Sequence, residues 1–181
     1  MVDPVAAWRE DHAYFSRLLG LLEKQLALFS SGGQPNYGLM EDIVRYLHDF
    51  SDQVHHPRED VAFACIAKRN PELARELERL QREHRVIVKA GALLLELLEE
   101  IEADAVFPRT SLEAVASTYL TYYRSHIAAE EREVLPRAAQ ALAPEDWKAV
   151  AAAVPARPDP LFGKDPEERY RTLRRQIALE A

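Results

Sequence analysis

A single cysteine, Cys65, in 181 residues leaves no partner for an internal disulfide, so the fold suits a reducing compartment. Basic charge is in deficit: 30 Asp and Glu against 23 Lys and Arg give a formal charge of −7. That deficit excludes nucleic acid as the main partner, since no basic face is left to neutralise phosphates. Long apolar runs are missing too. The longest, Ala90 to Leu98, is broken by Glu96 and falls far short of the roughly 20 residues a membrane span needs. No alternating run rich in Val, Ile or Thr marks a strand. The N-terminus, Met1-Val2-Asp3-Pro4, has no charged-then-apolar leader signature, so a cytoplasmic protein is expected. What is present is 48% hydrophobic and 29% charged residues, enough for one well-buried globular core.

Helix punctuation divides the chain. Asp3-Pro4 is an N-cap followed by proline at the first helical position, and the first helix stops at Ser30-Ser31-Gly32-Gly33-Gln34-Pro35. A second helix is expected from near Gly38 to before Asn70, and a third from Asn70-Pro71 to about Glu102. After Pro108 and Thr110-Ser111, a fourth reaches about Ala141. Apolar residues recur every three or four positions: Val5, Trp8, Phe15 and Leu19 in the first helix, Leu77, Leu80, Ile87 and Leu94 in the third. One apolar stripe per helix with short connections predicts an all-α, antiparallel up-down-up-down four-helix bundle over 1–141. Residues 142–181 form a helical extension. Ala143 to Trp147 opens a short helix, Pro155 to Pro160 is a linker, and Asp165-Pro166 caps a last helix from Glu167 to about Leu179. That extension packs on the bundle or on a partner such as a second copy of the chain.

Each stripe carries a histidine: His12 between Trp8 and Phe15, His55 beside Val54, His84 between Leu80 and Ile87, and His126 after Tyr123. One such residue is ordinarily a hydrogen-bonded core histidine. Four in four helices bring four buried polar edges that all need partners. At 1.5 Å per residue they stand roughly 12 to 22 Å from the same end of an antiparallel bundle, so they can meet in one layer. His55 to Glu59 and His126 to Glu130 both read His-x-x-x-Glu, which places imidazole and carboxylate on one face a turn apart. Four imidazoles with two inward carboxylates suit two first-row metal ions, iron before the oxygen-only ions, with the carboxylates able to bridge them.

In these motifs the chain resembles the hemerythrin-like HHE cation-binding domains. The resemblance covers about residues 4–141. It rests on Glu10-Asp11-His12, His55-His56-Pro57-Arg58-Glu59-Asp60, Glu83-His84, and His126-Ile127-Ala128-Ala129-Glu130-Glu131 with Leu135-Pro136 after it. It implies a non-haem di-iron centre of two iron ions bridged by Glu59 and Glu130, in a protein that binds, senses or reacts with O2, NO or peroxide. Such a protein is more a metal-binding sensor than a dedicated enzyme. The chain departs from the oxygen carriers, which place two histidines four residues apart on the third helix, because Leu80 and Val88 occupy the positions four from His84. His48, two turns before His55, and His56 are the candidates for a fifth nitrogen. Pro57 is expected to kink the second helix inside its motif, so His56 with Asp60 stands as an alternative to His55 with Glu59. In regular α-helical register Asp60 and Glu131 turn about 140° away from their histidines, toward solvent or a neighbouring helix.

Other chemistries fit less well. A ferritin-like site needs Glu-x-x-His on two helices and a zinc peptidase needs His-Glu-x-x-His, and neither motif occurs. A non-metal interaction bundle, such as a histidine phosphotransfer module, needs a solvent-facing histidine, whereas these lie on apolar stripes.

Overall fold

The structure, a computed structural model, describes residues 4–103, 108–155 and 157–179, and among these every regular element is helical. Asp3, expected to cap the first helix, lies outside the described residues. Helix α1 (Pro4–Ser30) ends where Gly32 takes a φ of 82°, a conformation glycine adopts without steric cost. Asn36 caps α2 (Tyr37–Tyr46), its side chain accepting the Leu39 N–H at 3.0 Å. The chain continues without a break through a π-helical stretch, Leu47–His55, into α3 (His56–Arg69). A 3₁₀ turn, Pro71–Leu73, separates this from α4 (Ala74–Glu102), so Asn70-Pro71 opens that turn and not the long helix itself. Then come α5 (Arg109–Ala129), a second π stretch (Glu130–Val134) and α6 (Leu135–Ala141). The extension holds α7 (Pro144–Ala153) and α8 (Arg171–Leu179). A 3₁₀ turn, Glu168–Tyr170, replaces the expected helix start after Asp165-Pro166.

The two π stretches share one cause. Pro57 and Pro136 have no N–H, and an α-helical carbonyl four residues back would meet their rings. In each case the residue just before the proline reaches back five positions: His56 N–H to the Ser51 carbonyl, Leu135 N–H to the Glu130 carbonyl. The helix is thus widened ahead of the proline. The expected kink at Pro57 takes this form, and the consecutive residues His55 and His56 are both buried.

Two apolar clusters flank the histidines. One gathers Val5, Trp8, Phe63, Ile66, Leu77, Leu80 and Leu135. The other gathers Phe15, Leu19, Ile43, Leu47, Ile87, Leu94, Tyr119 and Tyr123. The extension adds to both. Val150 of α7 joins the first, and Leu161, Tyr170, Leu173 and Ile177 are buried in the second. Polar ties accompany this packing: Tyr46 Oη–H donates to Asp159 at 2.9 Å, Tyr170 Oη–H to Asp49 at 3.1 Å, and Arg17 to the Ile177 carbonyl at 2.8 Å. No helix among the described residues is long and apolar enough to cross a membrane.

Helices α4 and α5 approach closely at Gly91, where a Cβ would stand 3.0 Å from Cε2 of the fully buried Tyr119 ring. Gly91→Val is therefore expected to lower stability by about 1–3 kcal/mol through overpacking, read from denaturant unfolding. A change no larger than that of an exposed substitution would contradict this contact.

Candidate metal centre

Between the two apolar clusters lies a buried polar group drawn from all four long helical stretches. His12 comes from α1, His55 from the end of the first π stretch, Glu59 from α3, His84 from α4, His126 from α5 and Glu130 from the start of the second π stretch. All six are buried, and His126, Glu59 and Glu130 have no exposed surface. The structure thus brings these six sequence candidates together. Glu59 Oε1 lies 3.1 Å from His55 Nε2 and 3.4 Å from His12 Nε2, while its Oε2 lies 3.6 Å from His84 Nε2. Glu130 is arranged the other way about: Oε1 lies 3.0 Å from His126 Nε2 and 3.7 Å from His84 Nε2, and Oε2 lies 3.4 Å from His12 Nε2. Each carboxylate therefore turns one oxygen to the His12 side and the other to the His84 side.

His56 joins this group. It can offer a nitrogen within 4.8 Å of donor atoms of Glu59, His84 and His126, and its ring stacks on His84 with centroids 4.2 Å apart. A second set of the same kind is His12, His55 and Glu59, so Glu59 belongs to both. His48 stays outside both sets, with a third of its side chain exposed and Nδ1 3.6 Å from Asp52. The pairing of His56 with Asp60 does not form: His56 Nδ1 faces Asp52 at 3.2 Å, and Asp60 accepts from His84 Nδ1 at 2.9 Å.

The outward nitrogens found partners that the spacing did not name. His55 Nδ1 lies 2.9 Å from Asp11, His12 Nδ1 2.9 Å from Glu131, and His126 Nδ1 3.2 Å from Glu83. All three acids stand inside the quoted motifs, each beside a histidine or glutamate of the cluster. Which imidazole each one meets depends on how the helices pack.

Charge within the cluster is strongly redistributed. Burial disfavours a proton on His12, but Glu130 and Glu59 outweigh it and hold the imidazole up at about 11. Burial likewise opposes His84, where Asp60, Glu130 and Glu59 raise it well above its ordinary value. His126 is raised by Glu130, and His55 by Glu59 and Asp11, both against burial. Burial favours a neutral Glu59, yet His55 and His12 hold it well below the usual carboxylate range. Glu130 is held low by His126 and His12 against burial and the charge of Glu59. His56 runs opposite: burial and the neighbouring His84 push it down to about 4.

The donor set fits a cation. Both oxygens of Glu59 and of Glu130, and Nε2 of His84 and His126, are buried without a hydrogen-bond partner, a cost proteins ordinarily avoid. His12 and His55 each direct Nδ1 to a carboxylate and face one another through Nε2 atoms 3.1 Å apart. Only a proton or a metal ion between two such nitrogens relieves the repulsion of their lone pairs. Donor separations near 3 Å are those of neighbouring ligands on one first-row ion with bonds of about 2.1 Å. The family model for the hemerythrin HHE cation-binding domain matches residues 3–138. Among curated proteins none matches the chain. A match over three quarters of the chain, on the stretch that carries this buried donor set, means that the protein belongs to the hemerythrin HHE cation-binding family.

Proposed function

We propose that the protein carries a carboxylate-bridged pair of iron ions and binds, senses or reacts with a small oxidant or diatomic ligand (O2, NO or peroxide). The observation that carries this reading is the disposition of Glu59 and Glu130, each with one oxygen toward His12 and the other toward His84. Two such carboxylates spanning two histidine groups are what a two-metal site requires. The groups are unequal. His12 and His55 make one; His84 and His126, with His56 as the fifth nitrogen, make the other. A low-pKa, neutral His56 already has the lone pair that ligation needs. The side with two histidines has fewer protein donors, so it is the side on which a small exogenous molecule would bind. When bound, the iron pair supplies redox capacity and a ligand position. The chain's own residues hold the donors in place and exclude bulk water through the apolar clusters on both sides.

The bundle reading has similar support. Along α1 and α4 the chain passes from the Trp8 cluster through a histidine to the Phe15 cluster, and along the second and fourth stretches it passes the other way. That alternation is what an antiparallel up-down-up-down bundle over 1–141 requires, with 142–181 as an extension covering it.

Anaerobic loading with ferrous iron followed by metal analysis tests the reading. About two irons per chain are expected, since the donors saturate neither ion alone. Exposure of the loaded protein to O2 or NO should then change its visible absorption. A chain that binds no transition metal overturns the proposal, and one that saturates at a single ion overturns the bridged pair.

A further inference from the structure

Four half-buried acids, Asp11, Asp60, Glu83 and Glu131, lie outside the donor set, and each accepts a hydrogen bond from the Nδ1–H of one inner histidine. The pairs are Asp11 with His55, Asp60 with His84, Glu83 with His126 and Glu131 with His12, at 2.9, 2.9, 3.2 and 2.9 Å. None of these four acids holds a histidine of its own stretch. The first stretch holds the second, the second the third, the third the fourth, and the fourth returns to the first. We propose that these acids form a closed, one-directional ring of positioning residues that fixes the imidazoles of His12, His55, His84 and His126 with Nε2 turned inward. This rests on the metal reading given above.

Chain adjacency explains why the ring closes. Each acid is the immediate neighbour of an inner donor: Asp11 precedes His12, Asp60 follows Glu59, Glu83 precedes His84 and Glu131 follows Glu130. One residue along a helix is about 100° of rotation. A step back on a helix running one way and a step forward on its antiparallel neighbour rotate in the same sense about the common axis. An acid before the donor on the first and third stretches, and after it on the second and fourth, therefore always points to the next seam in the same direction. The ring follows from four motifs whose flanking acid changes side from one helix to the next.

The chemistry is that of an outer partner. A carboxylate on Nδ1–H sets the tautomer, fixes the ring plane and raises the basicity of Nε2. Two of the acids are braced from outside, Glu131 by Arg9 at 3.3 Å and Glu83 by Arg79. All four retain some solvent exposure, between 16% and 43% of the side chain. They can thus be exchanged without opening the core.

The signature is a crossed pattern. In the full-length, ¹⁵N-labelled, zinc-loaded protein, long-range ¹H–¹⁵N correlation should show His12, His55, His84 and His126 as Nδ1–H tautomers with slowly exchanging protons. Asp11→Ala should disturb His55 and spare its chain neighbour His12, Glu131→Ala should disturb His12, Asp60→Ala His84, and Glu83→Ala His126. Each variant should lose about 10–100-fold in zinc affinity by chelator competition. Asp11→Asn, which keeps an oxygen acceptor, should restore the His55 tautomer and part of the affinity. A wild type that takes up neither iron nor zinc overturns the metal reading and the ring together. A wild type that loads normally, while the four alanine variants keep its affinity and histidine signals or disturb the histidine on their own stretch, overturns the ring alone.

Discussion

Glu59→Gln and Glu130→Gln are each expected to reduce iron binding by more than the 10–100-fold typical of an outer-shell partner, to the point where purified protein holds no stoichiometric metal. Glutamine keeps the volume of the buried side chain, so helical content should persist. The charge is lost, and an amide N–H is turned toward nitrogens that must serve as donors. Each glutamate touches three imidazoles: Glu59 meets His12, His55 and His84, and Glu130 meets His12, His84 and His126. One exchange therefore damages both histidine groups together. Glu96→Gln, on the exposed face of α4, is the matched control and should load like wild type. Metal analysis after anaerobic loading, with circular dichroism as a check on folding, reads the result. Folded variants at both positions with wild-type iron content would remove the carboxylate bridge from the proposal.

Much of the helical layout can be read from local chemistry. Proline at helix starts, glycine after helix ends and apolar residues every three or four positions act within a few residues of themselves, which is why the long stretches fall where punctuation places them. The π stretches were not legible in this way. Pro57 announces a disturbance, but a helix can respond by kinking, breaking or widening, and the choice depends on what the neighbouring helices bury. Here the helix widens, the His56 N–H reaching back five residues to the Ser51 carbonyl. The extension was also only half legible. Leu161, Tyr170, Leu173 and Ile177 carry no period long enough to reveal the surface they cover, yet they join the same apolar cluster as Phe15 and Tyr46.

For the site, the inner donors were visible because each breaks an apolar stripe with a polar group that demands a partner. The role of the outer acids was not. In regular register Asp60 and Glu131 sit about 140° from the histidines that define their motifs, so the spacing offered Asp60 only as an alternative ligand beside His56 and gave Glu131 no role. Their partners, His84 and His12, lie on other helices, and only the packed arrangement shows which seam each acid faces. His56 shows the same limit. Its sequence position is one residue from a ligand candidate, and only the packed arrangement shows that it, and not the part-exposed His48, reaches the cluster.

Acidification should strip the metal while leaving the metal-free fold standing. In the metal-free protein His12 holds its proton up to about pH 11, and His84 holds its own well above the ordinary histidine range. Metal uptake near pH 7 must then expel at least these two protons, so the apparent affinity should fall about 100-fold for each unit the pH is lowered. The fold responds differently. A raised histidine contributes stability that is complete below about pH 6.5, declines as pH rises, and is gone above the folded-state value. The lowered Glu59 and Glu130 contribute stability that is present above about pH 4.5 and is lost as pH falls through their folded-state values. Between pH 6.5 and 4.5 both contributions therefore support the metal-free protein, opposed by His56 alone in the cluster, whose value pushed down to about 4 makes its contribution fade as pH falls below about 6.5. The loaded protein should lose iron on going from pH 7 to 5, with its Tm falling to the metal-free value and no further. Raising the pH should do the reverse, weakening the metal-free protein while tightening metal binding. Iron content and Tm measured side by side across this range, with proton release followed during metal titration in weak buffer, check each sign. Retention of all metal down to pH 5 would contradict histidine ligation at this cluster, and uptake without proton release would contradict a metal-free protein in which His12 and His84 are protonated.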